Sequence, residues 1–119
     1  MVKKKLTESQ QALVDAHAAG YRVVGGKVKD GNGNQVKVIR PRKGYPFFLV
    51  DREGKSSQIM CHRMLAYQMF GQEMFRKGIV VRHLNDKKND LRRINIRLGT
   101  AKQNRADWRR NQKNMKKVS

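Results

Sequence analysis

Apolar residues recur at helical spacing between Thr7 and Gly20, and the pattern predicts a helix over Glu8–Ala19 with Leu13, Val14, His17 and Ala18 on its inner face. Thr7-Glu8-Ser9-Gln10 has capping-box form: the Thr7 hydroxyl can accept from a first-turn N–H, and the Gln10 side chain can reach back. Gly20 is the expected stop. Short β-type runs follow. Tyr21-Arg22-Val23-Val24 is one, and Val36-Lys37-Val38-Ile39 alternates as another. Between them, Asp30-Gly31-Asn32-Gly33-Asn34 is a turn needing positive φ. Pro46–Val50 is a further strand, Asp51-Arg52-Glu53-Gly54 turns, and Ser56–Met60 returns antiparallel.

From Cys61 the period changes to 3.6. Cys61, Met64, Leu65, Met69 and Phe70 share a helical face, with the methionines as core residues, and Gly71 ends the run. Ile79-Val80-Val81 reads as a strand, Asn85–Arg93 as a polar loop, and Ile94-Asn95-Ile96-Arg97-Leu98 as a second, alternating strand. Thr100-Ala101-Lys102-Gln103 is another capping box, opening a helix that reaches about Asn111. No internal repeat is visible. The expected class is α+β, built of small antiparallel strands and helices.

With 119 residues, the chain has room for one small domain. Cys61 is its only cysteine, which excludes a disulfide scaffold and any CxxC zinc site. No apolar run approaches the roughly 18 residues of a membrane span. Met1-Val2-Lys3-Lys4-Lys5 is like a signal-peptide start, but Leu6-Thr7-Glu8-Ser9-Gln10-Gln11 is no apolar continuation. A soluble, cytoplasmic protein of a reducing compartment is expected. Charge changes the picture more. Lys and Arg total 28 against 9 Asp and Glu, a net +19. Both halves are basic, and Arg109–Lys117 is the densest stretch. A polyanion is the natural partner, because each phosphate contact releases counterions. A ribosomal-type or coating protein satisfies the same arithmetic, so charge does not choose an enzyme.

Candidate chemistry lies in the second half. His83 closes the first strand there, Asn95 lies twelve positions later, and Asn104 nine beyond that, in the first turn of the last helix. A histidine can take a proton from water near neutrality. An Asn oxygen at a helix start can ligate a hard divalent cation. A second Asn can hydrogen-bond across the long loop. One His and two Asn arise by chance in many polar segments, so the surrounding words matter.

Val81-Arg82-His83-Leu84-Asn85-Asp86, Asn89–Ile96 and Leu98-Gly99-Thr100-Ala101-Lys102-Gln103-Asn104 together resemble the HNH nuclease motif, in the His-Asn-Asn version of phage homing endonucleases and their free-standing relatives. Gly44-Tyr45, the Phe47–Met60 hairpin and Cys61-His62-Arg63-Met64-Leu65-Ala66-Tyr67-Gln68-Met69-Phe70-Gly71 resemble the segment preceding that motif. The resemblance runs from about Tyr21 to Asp107. It implies a C-terminal ββα-metal fold and a DNA endonuclease, phage or mobile-element encoded, that hydrolyses phosphodiester bonds by nicking or double-strand cleavage. On it, His83 matches the general base, Asn95 the residue fixing the loop, and Asn104 a ligand of a divalent cation, Mg²⁺ or alternatively Mn²⁺. The implied organisation is an N-terminal helix (1–20), a basic hairpin-and-helix DNA-binding segment (21–78), the HNH motif (79–111) and a basic tail (112–119).

One departure stands out. Many relatives carry an Asp directly before the histidine as second metal ligand, and this chain has Arg82, which cannot bind a cation. Asp107, three residues after Asn104, is the expected substitute, with Asn85 and Asp86 as lesser candidates. The competing reading of Asp107 is an ion pair with Arg110 or Arg105. DNA contacts are expected from Arg82, Arg92, Arg93, Arg97, Lys102, Arg105, Arg109 and Arg110. The alternative function is a basic DNA-binding protein that keeps the scaffold without cutting. Trp108 is expected to pack the last helix onto its strands, His62 to be structural or DNA-facing, His17 to be partly buried, and Cys61 to be inert.

Overall fold

The computed structural model describes residues 5–118, with side chains as far as Lys113. The expected tail residues Lys116 and Lys117 thus have side chains outside the described set. Helix α1 spans Glu8–Ala18. Its capping box forms: Gln10 N donates to Thr7 Oγ1 at 3.2 Å and Thr7 N to Gln10 Oε1 at 2.9 Å. Leu13 and Ala16 carry its buried face; Val14 and His17 are half-buried and Ala18 is exposed, so the face sits one step from the expected one.

The first sheet is antiparallel in the order β1 (Arg22–Val24), β2 (Lys27–Lys29), β3 (Gln35–Val36). The pattern did not anticipate β2. Gly25 and Gly26, at φ 57° and 78°, make a two-residue hairpin turn that returns the chain at once. Asp30 shapes the next turn as expected, its Oδ1 accepting from Asn32 N and Asn34 N. The Val36–Ile39 run breaks up: β3 ends at Val36, and Ile39 pairs separately with Phe47.

The second sheet is the hairpin β4 (Phe47–Arg52) and β5 (Lys55–Met60), with Phe47 opposite Met60 and Arg52 opposite Lys55. The chain passes straight from β5 into α2 (Cys61–Phe70), where Cys61 N donates to Pro46 O at 3.0 Å. Helix α2 is the hub: it packs on α1, β1 and β5 and on both strands of the third sheet. Cys61, Met64, Leu65 and Ala66 are buried on it, and burial pushes the Cys61 thiol up to about 11, which leaves it inert. Gly71, at φ 62°, ends α2 and starts a 3-10 segment to Phe75 that buries Met74 and Phe75.

The third sheet pairs β6 (Val80–His83) with β7 (Ile96–Gly99), His83 facing Ile96 and Val80 facing Gly99. The expected strand at Ile94 starts two residues late. Arg93–Asn95 form a 3-10 turn instead, and Ile94 points outward at 66% exposure. Helix α3 runs Ala101–Val118, past the expected end at Asn111 and without a break at the expected tail. The whole is a mixed α+β fold. Among the described residues no helix is long and apolar enough to cross a membrane.

Candidate active site

The loop between β6 and β7 is tied across by the Asn95 side chain. Asn95 Oδ1 accepts from Asn85 N at 2.8 Å, and its Nδ2 donates to Asp90 O at 2.9 Å. Its own carbonyl accepts from Leu84 N at 2.9 Å. Asn95 is 3% exposed, so these bonds lie where water does not compete for them. The chain turns at Ile94, and Asn95 in that turn reaches Asn85 and Asp90 across the loop. Asp90 adds a second tie. Its carboxylate accepts from Asn85 Nδ2 and from Arg92 Nε and Nη2, which hold it well below the usual carboxylate range.

His83 sits at the base of this loop, 6% exposed. Burial pushes its pKa below the ordinary 6.5; Asp86 and Asp90 oppose that shift and Lys88 adds to it. The ring is therefore a neutral imidazole near pH 7. Its Nε2 is buried and has no hydrogen-bond partner among the described residues. Such an atom costs about 1–3 kcal/mol unless something polar reaches it. Two rings pack beside it: His62, with centroids 5.1 Å apart, and Tyr45, at 5.6 Å. Tyr45 also lies 4.4 Å from His62, and Lys88 Nζ stands 5.1 Å over the tyrosine ring. His62 is more deeply shifted, to about 3, by burial first and then by His83 and Arg63. This Tyr45–His62–His83 cluster was not visible in the sequence, because its members come from three separate elements.

Helix α3 docks across the hairpin. Its own capping box forms, with Gln103 N on Thr100 Oγ1 at 3.2 Å and Thr100 N on Gln103 Oε1 at 2.8 Å. Arg110 Nη2 and Asn111 Nδ2 both donate to Leu84 O, at 3.2 and 2.9 Å. Asn104, in the first turn, is exposed. Asp107, expected as a cation ligand, is paired with Arg82. Arg82 Nε donates to Asp107 Oδ2 at 2.8 Å and Nη2 to Oδ1 at 2.9 Å, so both carboxylate oxygens are taken by a guanidinium. Arg110 adds a longer contact at 3.4 Å, and the carboxyl is held below its usual value, chiefly by Arg82. Asn85 is also occupied, by Asp90 and by Lys87 N, while Asp86 is exposed.

Among the described residues no group of three or more His, Cys, Asp or Glu could hold a metal ion. The donor set fits a divalent cation only as a shared ligand. The exposed Asn104 carboxamide could supply one oxygen to a cation that a phosphate also ligates.

The basic residues expected on DNA fall into two groups. Arg93, Lys102, Arg105 and Arg109 are exposed, and the last three recur along one stripe of α3. Arg82, Arg92, Arg97 and Arg110 each already bond within the chain: Arg92 to Asp90, Arg97 to the carbonyls of Arg93 and Ile96, and the other two to Asp107. Trp108 does not pack α3 onto the strands. It is 52% exposed, because Asp107 and Asn111, four apart, take the inward positions.

No family model matches the sequence, and no curated protein matches it. Among solved structures the chain is similar to the HNH homing endonuclease I-HmuI, in a structure of DNA binding and cleavage by that enzyme. The identity is 28%, the TM-score 0.59, and the match covers 73% of this chain and 50% of the other. The chain thus spans half the length of that enzyme.

Proposed function

The chain has an HNH-type nuclease fold, and from it we propose that the protein is a metal-dependent DNA endonuclease. The observation that carries this reading is His83: a buried, neutral imidazole whose Nε2 has no partner among the described residues, at the foot of a loop that Asn95 staples. In the proposed reaction Nε2 takes a proton from water. The hydroxide attacks the scissile phosphorus, the bond to O3′ breaks, and O3′ takes a proton from solvent water, leaving a 5′-phosphate and a 3′-hydroxyl, while His83 returns its proton to solvent. Asn95 keeps His83 and the loop in place. Asn104, together with the scissile phosphate, would hold a divalent cation, Mg²⁺ or Mn²⁺, which when bound supplies Lewis-acid stabilisation of the leaving oxygen. Arg93, Lys102, Arg105 and Arg109 contact phosphates elsewhere on the duplex, with no sequence information required. Similarity to a homing endonuclease favours a phage or mobile-element origin.

A second reading is favoured by the Arg82–Asp107 pair, which closes the carboxylate nearest the first turn of α3: a DNA-binding protein on this scaffold that does not cut. A plasmid nicking assay separates the two. The endonuclease reading expects relaxed or linear product with Mg²⁺ and none with chelator. Full DNA binding with no product in Mg²⁺ or Mn²⁺ contradicts it and leaves the second reading.

A further inference from the structure

Arg82 lies directly before His83 on β6, and Asp107 lies one turn beyond Asn104 on α3. Their two-pronged contact therefore ties together the two segments that carry the proposed reacting residues. The pair is well shielded: the side chains are 17% and 3% exposed. A glycine makes room for it. A Cβ on Gly99 of β7 would come within 2.5 Å of Arg82 Cδ and 2.5 Å of Gln103 Oε1, the atom that caps α3. Any side chain at 99 would displace the guanidinium, the cap, or both. The planar fork of arginine matches a carboxylate in two parallel bonds, which a lysine cannot do.

We infer that Arg82, Gly99 and Asp107 form a metal-independent joint that fixes the hairpin against α3, so that His83 and Asn104 are in register before any divalent cation arrives. Arg82 and Asp107 are then positioning residues, and the cation comes with the DNA instead of residing in the free protein. A buried carboxylate without a counter-charge is strongly unfavourable, so Asp107 needs a cation beside it. Arg82 is that cation, permanently charged and covalently part of the chain. The inference rests on the proposed roles of His83 and Asn104, but its test reads stability and the state of the His83 ring in DNA-free protein. It can fail while the nuclease reading stands, and the reverse.

The test uses the full chain without DNA. Thermal unfolding and the His83 imidazole NMR signals are followed with about 10 mM Mg²⁺ and with chelator, a range in which a resident site of sub-millimolar affinity would raise Tm by several degrees. The joint predicts the same Tm and the same His83 signals in both. Arg82→Lys and Gly99→Ala should each lower Tm by a few degrees and shift the His83 signals. The double variant should lose little beyond the larger single effect, because both disrupt one contact. A Tm that Mg²⁺ raises and chelator lowers overturns the inference, as do additive losses or variants that leave the His83 signals in place. If neither variant folds, the comparison of wild-type protein with and without Mg²⁺ still decides.

Discussion

The chain before and after Arg76 is held together in different ways. Between Leu13 and Phe75 the buried residues are almost all apolar: Val23, Val28, Phe48, Val50, Ile59, Met64 and Leu65 among them, with His62 the polar exception. Beyond residue 76 the proportions reverse. Among the described residues there, Leu91 and Ile96 are the buried hydrophobics, beside buried His83, Asn95 and Asp107. The first region is held by exclusion of water, which is non-directional and tolerates substitution by shape. The second is stitched by Asn95, Asp90 and the Arg82–Asp107 pair, whose bonds are directional. The proposed role of His83, to take a proton from one placed water, calls for the second kind of holding, carried on the first.

That contrast can be broken at either side. The largest effect is expected in the apolar region. Phe48 is fully buried, and Phe48→Ala should cost about 3–5 kcal/mol in chemical denaturation. Activity per folded molecule should be little changed, since Phe48 contributes volume and no bond. On the polar side, Asn95→Ala leaves Asn85 N and Asp90 O unpaired and should cost about 2–4 kcal/mol. Here the damage is local. Hydrogen exchange should accelerate across residues 84–95 while Val28 and Leu65 stay protected. Uniform acceleration would mean that the two regions are one cooperative unit.

The pH dependence should be steepest where polar groups are buried. His62 and His83 have folded pKa values below 6.5, so between 6.5 and the folded values the unfolded chain binds more protons. Stability therefore falls as pH falls through that window, which for His62 extends to about 3. Each histidine contributes a slope of up to about 1.4 kcal/mol per pH unit. Asp90 and Asp107 act in the same direction at lower pH: their folded values are depressed, so their stabilisation is present above about 3.8 and is lost as pH falls through the folded values. His62→Phe should flatten the curve by about one proton. An unchanged curve would place the proton uptake elsewhere.

The smallest effect concerns the outer stripe of α3. Arg105→Ala should leave stability unchanged and shallow the salt dependence of DNA binding by about 0.9 in log–log slope. The same slope as wild type would mean that this stripe does not meet phosphate.

How much of this was legible differs between the two regions for the same physical reason. Both capping boxes, the β4–β5 hairpin and α2 were readable, because caps, turns and periodicity act over a few residues. The β2 strand was missed because a Gly-Gly turn leaves three-residue strands with almost no period to detect. The spacing of His83, Asn95 and Asn104 was visible. What decided their surroundings was not: Asp107's partner lies 25 residues away, and the Tyr45–His62–His83 rings meet only after α2 has docked. Opposite charges on a strand and a helix are common in a chain this basic, and no local rule pairs one Arg with one Asp. Gly99 held the usable clue, a glycine opposite no turn, whose reason is the side chain crossing over it.

In the proposed function His83 does the chemistry and the rest of the molecule presents DNA to it. Cleavage and binding by His83→Ala, measured on the same DNA in Mg²⁺, test that most directly. Cleavage should fall by about 10²-fold or more, because a placed proton acceptor contributes that much, while affinity stays close to wild type. Wild-type cleavage by the variant would contradict the account.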